Sequence, residues 1–93
     1  MRITFDPAKR ALTFKERGLD FALAGLLFGE RHMTRIDDRR DYGEPRFISI
    51  GKLGAEVVVL VWTPRGDARR IISMRRANGR EKAYFEANLA RYC

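Results

Sequence analysis

The residues most able to do chemistry run from Arg69 to Asn78, reading Arg-Arg-Ile-Ile-Ser-Met-Arg-Arg-Ala-Asn. The apolar centre Ile71, Ile72 and Met74 suits a strand, because β-branched and apolar side chains fit a pleated surface. In a regular strand Arg69, Ile71, Ser73 and Arg75 line one face and Arg70, Ile72, Met74 and Arg76 the other. Cations then stand at both ends of both faces. A guanidinium withdrawn from water needs an anion, and phosphate or carboxylate accepts its planar fork of donors in bidentate fashion. The segment is either a salt-bridge ladder or a strand that reads phosphate.

The charge around it sharpens the choice. Of 93 residues, 19 are Lys or Arg and 12 are Asp or Glu, a formal charge of +7. From Arg65 to Arg80 stand six arginines and one acid, Asp67, so +5 sits in about a sixth of the chain. Such a block points to a polyanion such as nucleic acid, or to an acidic protein. An apolar fraction of 45% excludes a disordered chain, and the length suits one domain, residues 1–93. The lone Cys93 has no internal disulfide partner and fits a reducing cytosol. With His32 as the one histidine, a metal site of Cys and His is not expected, nor is a cofactor. No apolar run nears the ~20 residues of a membrane span, so a soluble, cytoplasmic protein is expected.

The elements that position the arginines follow from local signals. Arg2 to Phe5 reads as an edge strand. Asp6-Pro7 opens a helix to about Arg17, with Ala8, Ala11 and Leu12 on one face and Gly18 as a left-handed stop. Asp20 caps a second, nearly all-apolar helix, Phe21 to Phe28. Arg31 to Ile36 reads as a weak strand, 37–43 as a charged connecting loop, Arg46 to Gly51 as a strand and Lys52 to Ala55 as a turn. Glu56 to Thr63 is apolar on both faces, as in a central strand covered on two sides. A turn over Pro64 to Asp67 joins it to the arginine strand. Asn78 and Glu81 form a capping-box pattern for a last helix whose stripe is Phe85, Leu89 and Tyr92. The fold class expected is α+β: an antiparallel sheet of four to five strands, two N-terminal helices and one C-terminal helix.

Phe5-Asp6-Pro7-Ala8-Lys9, Arg17-Gly18-Leu19-Asp20-Phe21, Asp41-Tyr42-Gly43-Glu44-x-Arg46, Trp62-Thr63-Pro64-Arg65-Gly66 and Arg70-Ile71-Ile72-Ser73-Met74-Arg75 stand in the order of the BrnT family, which the chain resembles from Phe5 to Tyr84. The resemblance implies a toxin of a bacterial type II toxin–antitoxin pair with a RelE-like ribonuclease fold. It implies metal-free RNA cleavage that inhibits translation and growth, and neutralisation by a BrnA-type antitoxin through which alone operator DNA is bound. Many members carry Lys-His-Gly where this chain has Glu16-Arg17-Gly18, so no acid–base role passes to Arg17.

Metal-free cleavage uses the ribose 2′-hydroxyl as nucleophile and needs one group to take a proton, one to give a proton, and cations for the charged transition state. Arginine stays protonated and serves only the last need. Arg46, Arg70 and Arg75 are therefore the candidate clamps, with Arg75 favoured, and Lys9, Glu44, Tyr42 and Tyr84 are the proton carriers available. Lys9, in the first turn of its helix, is expected to have a lowered pKa, or else is merely solvated. Glu44 is a base or a rim partner of Arg46. Arg17, Arg69, Arg76 and Arg80 are candidate RNA contacts, and Trp62 either stacks a base or fills the core. Ser73 lacks a nearby histidine and is a poor nucleophile. The catalytic set expected from these roles is Lys9, Glu44, Arg46, Arg70 and Arg75. The rival reading is a non-catalytic basic module that binds nucleic acid or protein, since a phosphate-binding groove and a phosphate-cleaving one use the same cations.

Overall fold

The computed structural model describes residues 2–89. Tyr92 and Cys93 lie outside the described residues. In chain order the elements are β1 (Arg2–Phe5), α1 (Pro7–Arg17), a single 3₁₀ turn (Phe21–Leu23), α2 (Ala24–Gly29), β2 (His32–Ile36), β3 (Phe47–Leu53), β4 (Glu56–Arg65), β5 (Ala68–Arg76) and α3 (Gly79–Asn88). They form an α+β domain around one five-stranded sheet of order β1-β5-β4-β3-β2. The apolar run of β4 is its middle strand, with Val57, Val58, Val59, Leu60 and Trp62 buried.

The sheet is mixed rather than purely antiparallel. β2, β3, β4 and β5 are antiparallel neighbours, but β1 runs parallel to β5, with Arg2 opposite Ala68 and Phe5 opposite Ile71. β1 and β5 lie more than sixty residues apart, and nothing within a four-residue strand encodes the direction of so distant a neighbour.

Local caps form as their residue types require. The Asp6 side chain accepts from the Ala8 amide, and α1 ends at Gly18, whose φ of 70° is left-handed. The Asp20 side chain accepts from the Ala22 amide, yet the segment it opens is a 3₁₀ turn followed by the six-residue α2, not one continuous helix. The apolar residues of α1, Ala8, Ala11, Leu12 and Phe14, are all exposed, so α1 buries no apolar face. α1 is held instead by its polar side chains: Arg10 donates to both Asp20 carboxylate oxygens, at 2.7 and 3.1 Å, and covers the Phe5 ring. α2 packs directly on β3 because Gly51 has no side chain; a Cβ there would come within 3.0 Å of Leu27 and His32.

The 3₁₀ turn and α2 cover one face of the sheet. Leu19, Phe21, Ala24, Leu27 and Phe28 pack there on Val58, Leu60, Trp62, Ile71 and Met74. α3 crosses only one end of the other face, where Phe85 joins Met33 and Val57. Its start is a complete capping box, in which the Glu81 amide donates to Asn78 Oδ1 at 2.8 Å and the Asn78 amide donates to Glu81 Oε1 at 2.9 Å. Among the described residues no helix is long and apolar enough to cross a membrane.

A bulge in β5 decides where the arginines point. Val61 pairs with Ser73 and Trp62 with Ile71, so Ile72 is an extra residue between them. Alternation slips by one across it. Residues paired across strands share a face, so Arg69, Ile71, Met74 and Arg76 lie with Pro64, Trp62, Leu60 and Val58 on the helix-covered side. Arg70, Ser73 and Arg75 lie with Thr63, Val61 and Val59 on the open side. The regular alternation expected from the sequence, which separates Arg70 from Arg75, is thereby corrected.

Candidate nucleic-acid interface

The arginines of the helix-covered face are committed to the fold. Arg69 lies over Phe28 at 4.3 Å and over Trp62 at 4.5 Å, and burial lowers its pKa. Arg17 donates to the Met74 carbonyl at 2.8 Å, while Arg76 bonds Glu56 and the Arg17 carbonyl, tying the end of α1 to the sheet. Trp62 is only 8% exposed, donates its indole N–H to Ser49 at 2.8 Å, and is packed by Phe28, Phe47 and Arg69. That surrounding leaves no ring face for a base, so the core reading of Trp62 replaces the stacking one. Lys9 is exposed on α1, which packs against the 3₁₀ turn on this same side, away from the open face.

The open face carries a different set. Across one row stand Arg46, Thr63 and Arg70, because Phe47 pairs with Trp62 and Thr63 with Arg70. Thr63 is buried and donates its hydroxyl to the Pro45 carbonyl at 2.6 Å, which fixes the chain entering β3. Arg46 lies over the Tyr42 ring at 4.1 Å and donates to Glu44 at 3.4 Å. Arg65 donates to the other oxygen of Glu44 at 3.1 Å. Arg70 is half-buried, and its side chain makes no hydrogen bond, ion pair or ring contact among the described residues. A guanidinium partly withdrawn from water with no anion beside it is the natural seat of an external anion.

Two rows further along β5, Arg75 is held by Glu81 in a bidentate pair, at 2.7 and 2.8 Å. The hydrogen bond from Arg75 is the main cause holding the Glu81 carboxyl at about 2, helped by the Asn78 amide and by the charge of Arg35. Arg75, favoured from the sequence as the clamp, already has a carboxylate partner, whereas the Arg70 guanidinium has none among the described residues.

Between Arg35 and α3 opens a groove of about 440 Å³ with a floor of Met33, Ile48, Ile50 and Val59 and a rim of Arg35, Arg80, Glu81 and Tyr84. Arg80 is exposed there, and Tyr84 is 57% exposed. The loop 37–46 is more than a connector. Buried Asp37 accepts from Arg39 at 2.7 and 2.8 Å, and that bond holds its carboxyl at about 2 despite burial, with Tyr42 adding a hydrogen bond.

Of the residues singled out from sequence, the structure gathers Glu44, Arg46 and Arg70 at one end of the open face and Arg75 and Arg80 at the other. Lys9, Arg17, Trp62, Arg69 and Arg76 fall on the far side. The sequence reading missed Arg35, Arg39, Asp37 and the pairing role of Glu81. The alternation of Met33 with Arg35 and of Ile48 with Ile50 was the signal for the groove. Among the described residues no group of three or more His, Cys, Asp or Glu side chains could hold a metal ion.

The sequence model described as "Ribonuclease toxin, BrnT, of type II toxin-antitoxin system" matches residues 5–81, well over half of the chain. The chain belongs to the BrnT family. It is therefore grouped with ribonuclease toxins of type II toxin–antitoxin systems, for which an antitoxin is the partner and RNA the substrate. The match begins at Phe5, the last residue of β1, and ends at Glu81, so it takes in β2 to β5 and the start of α3. No curated protein matches the chain.

Proposed function

We propose that this BrnT-family chain acts as one domain, an endoribonuclease that cuts RNA without a metal ion, halts translation and growth, and is held inactive by a BrnA-type antitoxin that alone contacts operator DNA. The observation that carries the reading is Arg70, half-buried, unpaired among the described residues and on the open sheet face across Thr63 from Arg46. Adjacent strands lie about 4.8 Å apart, so the two arginines, with Thr63 between them, stand roughly 10 Å apart at their α-carbons and can converge on one phosphate.

In the reaction the 2′-oxygen attacks the neighbouring phosphorus, the bond from phosphorus to the 5′-oxygen breaks, and a 2′,3′-cyclic phosphate and a 5′-hydroxyl form. Glu44, steadied by Arg46 and Arg65, takes the 2′-hydroxyl proton. Tyr42, stacked on Arg46, gives a proton to the leaving 5′-oxygen. Arg46 and Arg70 stabilise the added charge on the phosphoryl oxygens. Arg75 and Arg80 lie too far along β5 and α3 to share that phosphate and serve flanking ones. Lys9 has no part in the step.

The test is purified chain with RNA in excess EDTA. Cleavage leaving 2′,3′-cyclic phosphate ends is expected. Activity that requires added magnesium contradicts the metal-free step, and binding without cleavage returns the chain to the non-catalytic class.

A further inference from the structure

We propose that β2 is the docking edge for an extended, acidic and apolar segment of a protein partner, which adds to the sheet as a sixth strand. The inference rests on the toxin–antitoxin reading, with the antitoxin as that partner.

β2 is the last strand on its side of the sheet. The Asp37 amide donates to the Arg46 carbonyl at 2.8 Å, so Asp37 and Arg46 are a hydrogen-bonded pair of the antiparallel ladder. Such pairs alternate, and with the β2–β3 register they fall next at Arg35 with Ile48 and at Met33 with Ile50. The backbone N–H and C=O groups of Thr34 and Ile36 therefore point away from β3. No described residue bonds them. Edge strands are usually blunted by a proline, a bulge, a charged side chain or a covering element; β2 has the charge of Arg35 but no proline and a regular register, and Ile36 is 64% exposed. The opposite edge, β1, is four residues long and stops at Asp6-Pro7.

The chemistry of the edge selects a polypeptide. Outward donors alternate with outward acceptors, which another backbone satisfies at once. RNA phosphates only accept, and would leave the Thr34 and Ile36 carbonyls without donors. Side chains select its character. Met33 and Arg35 face the groove, so the added strand carries, two residues apart on that side, an apolar residue beside Met33 and an acid beside Arg35. A second copy of this chain is disfavoured, since each carries +7. A strand seated here reaches over the groove next to Arg80 and Tyr84, so RNA and partner compete.

The experiment uses the full chain and the antitoxin encoded beside it, co-expressed. Amide hydrogen exchange is measured on the free chain, with antitoxin and with RNA, and antitoxin affinity is measured for the native chain and for Ile36→Pro. Ile36 contributes no ladder bond to β3 and lies outside the cleavage site, so the variant keeps its melting temperature and its RNA cleavage. The proposal expects Thr34 and Ile36 amides that exchange fast when free and are protected by antitoxin, and an affinity roughly tenfold weaker for Ile36→Pro. Full affinity in Ile36→Pro with unprotected β2 amides overturns the docking edge while leaving the toxin–antitoxin reading intact. Protection by RNA alone, or by raising the concentration of the free chain, overturns it in favour of RNA or a second copy. A native chain that binds no antitoxin overturns both readings.

Discussion

The two faces of the sheet use the same residue type for opposite ends. On the helix-covered face Arg17, Arg69 and Arg76 are spent on ring faces, carbonyls and Glu56. On the open face Arg70 is unpaired among the described residues, while Arg46 and Arg75 are oriented by Tyr42 and Glu81 but reachable. A basic block in a sequence is therefore not one site. Here it is a scaffold and a candidate phosphate surface back to back, separated by the thickness of a strand and sorted by one extra residue, Ile72.

The largest effect is expected from erasing that sorting. Inserting one residue between Val61 and Trp62, opposite Ile72, gives Ile72 a partner and restores regular alternation, which turns Arg70 into the helix-covered core and forces Ile71 out to solvent. A one-residue slip moves every side chain on that stretch to the wrong face, and burying an unpaired guanidinium or exposing the Ile71 position costs several kcal/mol. The insertion variant should fail to show a cooperative thermal transition. A native-like melting curve would mean that the bulge does not hold the two faces apart.

A middle-sized effect is expected in acid. Asp37 and Glu81 titrate at about 2 when folded, against ordinary values of 3.8 and 4.5. Because the folded pKa values are depressed, their contribution is complete above the ordinary values and is lost as the pH falls from about 4.5 through about 2. Asp20 on the helix side shifts in the same direction through its bonds from Arg10, so whole-protein melting cannot separate the faces. Residue-resolved hydrogen exchange can: at pH 3 the loop 37–46 and the start of α3 should lose protection before β4. Simultaneous loss everywhere would show that the faces do not differ in acid.

The smallest effect is expected from Glu81→Gln. The pair with Arg75 is partly exposed and worth no more than about 1 kcal/mol, and glutamine still serves a capping box. The melting temperature should fall by a few degrees while RNA affinity rises slightly, because Arg75 is released. Weaker RNA binding would place Arg75 with the scaffold arginines instead.

How much of this could be read in advance depends on the range of the signal. The caps at Asp6, Asp20 and Asn78, the stop at Gly18 and the central character of β4 are encoded within a few residues, and they form as read. The parallel pairing of β1 was not legible, because it depends on a strand far along the chain. Nor was the bulge: Ile71 and Ile72 are both apolar, so the slip between them leaves no mark in the pattern, and the faces of Arg70 and Arg75 were misjudged in consequence. Glu44 and Arg46 were legible as neighbours two apart, whereas the pairing of Arg75 with Glu81 needs the turn between β5 and α3.

Arg69 and Arg70 are consecutive residues on opposite faces, so comparing RNA cleavage and thermal unfolding for Arg69→Ala and Arg70→Ala tests the account most directly. Arg70→Ala should keep its melting temperature and lose roughly 2 to 4 kcal/mol of transition-state stabilisation, the usual cost of removing one preorganised donor. Arg69→Ala should melt lower, having lost its contacts with Phe28 and Trp62, yet cut RNA at the native rate per folded molecule. Native cleavage by a stably folded Arg70→Ala chain, or lost cleavage in a fully folded Arg69→Ala chain, would contradict the assignment of the open face to RNA.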